Sequence, residues 1–218
     1  MCFSATASFT AAGVLSILGL LSLAQVRDKS TVMVASTPLL FGFQQACEGV
    51  LWLTINDPGN FFWASIAARA FLLFALIIWP LWIPASLLMC EINQKHKKTL
   101  RWCLLLGLCV ALYSVYMLLF QGLTWRVYEC SIAYDYSSGW RIADIVHGLL
   151  YVVAVSGPFF VSSMPLTRLF GFALVVCLFG AAWIKYMTFA SVWCFCAALL
   201  SGLVVMSMRM HARGSRES

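Results

Sequence analysis

Runs of apolar residues, each about twenty long, follow one another along nearly the whole chain, separated by short polar stretches. A helix crossing the hydrocarbon core of a bilayer needs about 20 such residues. The runs predict seven spanning helices, at residues 4–24, 31–55, 61–89, 100–123, 140–163, 166–185 and 188–208. The breaks between them carry recognisable signals. Asn56-Asp57-Pro58-Gly59-Asn60 reads as a turn, the stretch from Glu91 to Thr99 is polar and basic, and Ser162-Ser163-Met164-Pro165 ends the fifth run. Pro80 and Pro84 fall inside the third run and predict a kink there. The link near Tyr186 is so short that the sixth and seventh helices are expected to lie side by side, antiparallel.

Composition agrees with this reading. The 218 residues are 62% hydrophobic and 10% charged, whereas a soluble domain carries about 25% charged residues. The expected fold is an all-α membrane protein, a single seven-transmembrane-helix bundle over residues 1–208 with a short basic tail at 209–218. The first run has no basic stretch before it, and Arg27 and Lys29 follow it, so it reads as an uncleaved helix rather than a signal peptide.

The formal charge of +6 does not point to nucleic acid, because its placement encodes topology. Arg27, Lys29, Lys95, Lys97, Lys98, Arg101, Arg168, Arg209, Arg213 and Arg216 fall on one side of the predicted bundle; the other side holds Arg126, Arg141 and Lys185. The positive-inside rule places the N-terminus outside and the C-terminus in the cytoplasm, with the lipid bilayer as the main partner. The long loop at 121–139 is then external. Its aromatic and β-branched residues from Thr124 to Tyr136 suit a short hairpin capping the bundle or an aromatic belt.

Orientation gives depth, and depth gathers the polar residues. Gln44, Gln45 and Glu48 fall in the outer half of the second helix, Arg69 in that of the third, Asp144 and His147 in that of the fifth, and Ser191 and Cys194 in that of the seventh. Cys2 and Ser4 begin the chain on the same side. Gln44 and Glu48 share a helix face, as do Asp144, His147 and Tyr151; Cys196 points elsewhere. Ionisable groups in hydrocarbon turn toward partners or water. The expectation is an outward-facing pocket lined by the second, third, fifth and seventh helices, with Glu48 approaching Arg69. Glu48 and Arg69 read equally well as an ion pair that fixes packing, Asp144 as an anchor for Arg141 or Lys185, and the glutamines as interhelical glue.

The opening Met1-Cys-Phe-Ser-Ala-Thr-Ala-Ser-Phe9, the stretch Pro38 to Trp52 with its Gln44-Gln45 and Glu48-Gly49, the segment from Leu150 to Ser163 around Pro158, and Ser191-Val-Trp-Cys-Phe195 resemble a family of uncharacterised bacterial multi-pass membrane proteins. The resemblance spans the chain. It implies no activity, but it places emphasis on Cys2, Ser4, Gln45, Glu48, Trp193 and Cys194, and less on His147 and Cys196.

Three function classes follow. The first is a binding protein whose outer pocket holds a small molecule or a metal, for which Cys2, Glu48, His147 and Cys194 offer ligands suited to Cu(I) or Zn(II). The same Cys2 and Cys194 suit a disulfide in an oxidising compartment. The second is an intramembrane lipid-modifying enzyme using His147, Asp144 and Glu48, with Ser4 or Cys2 as nucleophile. The third is a small-solute transporter, for which the apolar inner half offers little polar path.

Overall fold

The computed structural model of the chain describes residues 4–128, 131–135, 141–184 and 189–217. Helix α1 (Ala5–Leu23) starts at Ser4, whose hydroxyl accepts the Ala7 N–H at 3.2 Å and so satisfies one of the donors that a helix start leaves open. A short 3-10 turn, Lys29–Thr31, capped by Asp28, leads into α2 (Val32–Thr54). The two helices run antiparallel in close contact. A Cβ on Gly19 would lie 2.7 Å from the Leu39 backbone nitrogen, and one on Gly42 would lie 3.1 Å from the Ala12 carbonyl oxygen. Small residues let helix backbones approach where no hydrophobic force separates lipid from protein.

The predicted turn at Asp57 forms as a 3-10 turn, Pro58–Asn60, with the Asp57 carboxylate accepting from the Gly59 N–H at 2.9 Å and from Asn60 Nδ2 at 2.6 Å. Beyond it α3 (Phe61–Leu73) runs through a π-helical segment, Phe74–Ile78, directly into α4 (Trp79–Cys90). The expected disturbance at the prolines is this segment. Trp79 N–H bonds Phe74 five residues back, and Pro80, next in line, has no N–H to give. Pro84 likewise withholds a bond from the Pro80 carbonyl, and α5 (Gln94–Phe120) closes onto that oxygen through Gly107, where a Cβ would lie only 1.9 Å from it.

The described part of the loop after α5 folds as a hairpin. Strand β1 (Thr124–Tyr128) pairs antiparallel with β2 (Ser131–Asp135), Trp125 opposite Tyr134. Trp125 stacks on Phe61 at 5.5 Å, and Ile132 is fully buried with Leu51, Ala64, Ala67 and Ala68. The hairpin therefore caps the ends of α2 and α3, and β2 also packs on α8.

The chain continues as α6 (Arg141–Val161), α7 (Thr167–Ile184), α8 (Phe189–Leu200) and α9 (Gly202–Glu217), with α7 packed on α8 as the short link requires. The span expected at 188–208 is interrupted at Ser201, whose hydroxyl turns back to the Ala198 carbonyl at 2.6 Å. Residues 209–217, expected as a tail, continue α9.

Among the described residues, five stretches are long and apolar enough to cross a membrane: Ala5–Leu23, Pro58–Cys90, Gln94–Phe120, Ile142–Val161 and Ser191–Met210, with Thr167–Ala181 a shorter apolar helix. Helix α2 has 23 residues but carries Gln44, Gln45 and Glu48, which lower its hydropathy. Outward faces are apolar. Phe172, Val176, Phe179 and Trp183 form one stripe of α7, 63–91% exposed. In water such a stripe would be a liability; facing lipid it costs nothing.

Candidate functional site

Helix α2 carries Gln44, Gln45 and Glu48 fully buried under the hairpin. Each is placed by a neighbour. The Glu48 carboxylate accepts a short hydrogen bond from the Ser191 hydroxyl of α8. The Gln44 side-chain oxygen accepts from Trp79 Nε1 at 2.8 Å, and its nitrogen donates to the Phe71 carbonyl at 3.5 Å. Across the same space Tyr151 of α6 donates its hydroxyl to the Ala75 carbonyl at 2.5 Å and meets the Trp193 ring edge-on, centroids 5.5 Å apart. Phe71 and Ala75 belong to the stretch where α3 gives way to the π segment. Polar side chains from α2 and α6 supply bonds to its carbonyls, which is how a disrupted helix is tolerated in a membrane.

Cys194 is buried beside Glu48 and Gln44. From above, Tyr134 of β2 lays its ring flat on Phe71, centroids 5.0 Å apart and planes 6° from parallel, with its phenol near Glu48 and Cys194. Burial first, and then the neighbouring Glu48, hold that phenol well above its usual range. Several polar atoms of this cluster have no hydrogen-bond partner among the described residues: Glu48 Oε2, both side-chain atoms of Gln45 and the Tyr134 hydroxyl. Such buried atoms ask for an occupant or a water. A small cavity opens next to the cluster, with Cys194 in its wall.

The expected approach of Glu48 and Arg69 does not form. Arg69 lies on the exposed side of α3 and bonds the Ser65 hydroxyl one turn back. Ala64, Ala67, Ala68, Phe71 and Leu72 make the buried face of that helix, so Arg69 falls on a different face from the one expected, its side chain lying along α3 toward Ser65. His147 also leaves the cluster. Its Nε2 lies 3.0 Å from Ser114 Oγ and its ring 4.9 Å from Tyr113, both on α5, so it faces away from the Glu48–Ser191 pair. Asp144 sits half-buried one turn before it on α6. Ser4 is an exposed cap rather than a pocket residue. Cys2, and with it the pairing expected with Cys194, lies outside the described residues. Among the described residues no three His, Cys, Asp or Glu side chains gather as a metal site.

Two features escape a reading of the sequence alone. One is the burial of Tyr134 and Trp79 against the polar residues of α2. The other lies at the opposite end, where Glu91 follows α4. Its carboxylate accepts the N–H groups of Ile92 and Asn93, each at 3.1 Å, and of Ser163 at 2.8 Å, joining the α4–α5 turn to the α6–α7 turn. His96 Nδ1 lies 3.7 Å from the carboxylate and 2.9 Å from Ser163 Oγ. A single ring nitrogen of His96 serves both contacts, so the trio latches the two turns together. Burial alone would raise the Glu91 acid, but the hydrogen bonds from Ser163, Asn93 and Ile92 outweigh it and hold it below its ordinary value.

No curated protein and no solved structure matches the chain. A family model described as "Family of unknown function (DUF6629)" matches residues 1–218, and the chain belongs to that family.

Proposed function

We propose that this is a multi-pass protein of the bacterial inner membrane whose Glu48 cluster binds a small ligand in the outer half of the bundle. In this reading the five long apolar stretches, together with α2 and α7, make seven crossings. The concentration of Lys and Arg at 27–29, 95–101, 168 and 209–216 supports an external N-terminus and a cytoplasmic C-terminus. The hairpin then sits on the outer surface above the site.

One observation carries the ligand reading. Glu48 is a fully buried carboxylate that keeps one oxygen without a partner, beside Gln45 with none. A protein whose sole need was helix packing would fill these positions with apolar side chains at no cost in lipid. The test is native mass spectrometry and metal analysis of the full-length protein, released gently from the membrane, beside its Glu48→Gln variant. The expected result is a low-mass species carried by the native protein and missing from a folded Glu48→Gln protein. Identical, empty spectra for both would overturn the proposal. Reporter fusions after Ser218 and within 121–139 should report opposite sides of the membrane; the same side for both would overturn the orientation.

A further inference from the structure

We infer that the Glu48 cluster holds a sodium ion, an inference that rests on reading the cluster as a ligand site. Charge and donor chemistry point to it independently. Glu48 is fully buried, and no Lys, Arg or His among the described residues pairs with it; Arg69, the cation expected there, turns to Ser65. A carboxylate in such a place is relieved by a positive charge beside it. Ser191 occupies only one of its oxygens, and Oε2 has no hydrogen-bond partner. More oxygens in the same condition stand around it. Gln45, one turn back on α2, has an unpartnered side-chain oxygen, and Tyr134 brings an unpartnered hydroxyl from the hairpin. Ser8, fully buried and also unpartnered, joins them from α1. Gly42 meets Ala12 and Gly49 meets Phe9, so the face of α2 that carries Gly42, Gln45 and Gly49 lies against α1 at the level of Ser8.

The donors select among cations. They are oxygens, one from a carboxylate and the others neutral, which is the set a hard cation takes. A soft metal ion requires thiolate or imidazole donors around one point, and no three His, Cys, Asp or Glu gather in that way among the described residues. A divalent ion bound by a single carboxylate would leave a net positive charge in hydrocarbon, so the balance calls for one elementary charge. Size then favours Na+ over K+, because Ser8, Gln45 and Glu48 are each completely enclosed and the larger ion would have to spread them apart. The cavity beyond Cys194 offers no room for an organic cation: its walls are apolar, it holds about one water, and Glu48 does not line it. A proton on Glu48 would remove the charge and leave the oxygens of Gln45, Ser8 and Tyr134 unsatisfied, so the response to Na+ is the quantity to test.

The probe is Na+ itself, added as chloride to full-length protein purified throughout without sodium. N-methyl-D-glucamine chloride keeps the ionic strength constant, and K+ is titrated in parallel. The thermal midpoint reports binding, because an ion held only by the folded protein stabilises it. The midpoint should rise saturably with Na+, and K+ should act roughly tenfold more weakly. Glu48→Gln should abolish the Na+ response. Tyr134→Phe keeps the ring on Phe71 and removes one oxygen, so it should fold and respond to Na+ severalfold more weakly than the native protein. It decides the matter if Glu48→Gln does not fold. A native response from either variant would place the ion elsewhere and overturn the assignment. Equal responses to Na+ and K+, or none from folded native protein, would overturn it too. A low-mass species carried by the native protein and missing from Glu48→Gln would then show that the Glu48 site itself still stands, with a different occupant.

Discussion

Pro80 and Tyr151 form a matched pair across two helices. In the π segment the N–H of Trp79 reaches back five residues to Phe74, so the next bond in that register would run from residue 80 to Ala75. Proline cannot make it, and the Tyr151 hydroxyl takes the Ala75 carbonyl at 2.5 Å instead. Tyr151→Phe leaves a buried carbonyl unpaired and should cost about 1–2 kcal/mol. Pro80→Ala returns an N–H near that carbonyl, so Tyr151→Phe should cost less in the Pro80→Ala background. Equilibrium unfolding in mixed detergent of the four proteins of this cycle measures the coupling; strictly additive losses would show the two residues to be independent.

The contact of α4 with α5 depends on the absence of a side chain. Gly107→Ala places a methyl group 1.9 Å from the Pro80 carbonyl oxygen, which forces the helices apart and should destabilise by about 1–3 kcal/mol. Gly13→Ala is the control, since nothing lies within 4 Å of a Cβ there. A thermal midpoint lowered by Gly107→Ala and unchanged by Gly13→Ala is the expected pattern. Equal effects would mean that helix propensity, rather than the close approach, governs both.

Much of this was legible in the residues, and the exceptions share a cause. The prolines announced the disturbance at 74–80, the aromatic loop announced the hairpin, and counting from helix ends placed Glu48 and Ser191 at matching depths. Counting gives depth and not rotation. Arg69 falls on a different face from the one expected, and His147 turns to Ser114 of α5. In a soluble helix the polar stripe would have revealed the face, but helices apolar on nearly all sides carry little such signal. Tyr134 was hidden for another reason: its burial depends on where a loop lands, which no local pattern encodes. The break at Ser201 was hidden too: its hydroxyl bonds the Ala198 carbonyl, but Ser16, Ser86 and Ser114 bond backbone carbonyls in the same manner inside helices that run on, so a serine gives no forewarning of a break.

The Glu91 latch makes stability depend on acidity. The Glu91 acid is held below its ordinary value, because the hydrogen bonds from Ser163, Asn93 and Ile92 favour the carboxylate. Its contribution is therefore complete above the unfolded value of about 4.3 and is lost as pH falls through the lower folded value. Glu91→Gln should lower stability at neutral pH and flatten the acid limb of the unfolding curve. Midpoints of both proteins followed from pH 7 downward supply the comparison; parallel curves would show that Glu91 is not linked to folding.

The packing of α7 on α8 can be caught covalently. Cys177 of α7 and Cys196 of α8 bring their thiols together, both half-buried. A mild oxidant such as copper phenanthroline should remove one hydrogen from each thiol and join the sulfurs, since side chains already in contact need little backbone movement to meet disulfide geometry. Cys194, two residues before Cys196 on the same helix, faces the Glu48 cluster instead, so Cys194→Ser should leave the cross-link intact while Cys177→Ser removes it. Peptide mass mapping after blocking free thiols distinguishes these outcomes. A cross-link that survives Cys177→Ser, or one that requires Cys194, would mean that α8 is rotated about its axis from the position described, and with it Ser191 would no longer face Glu48.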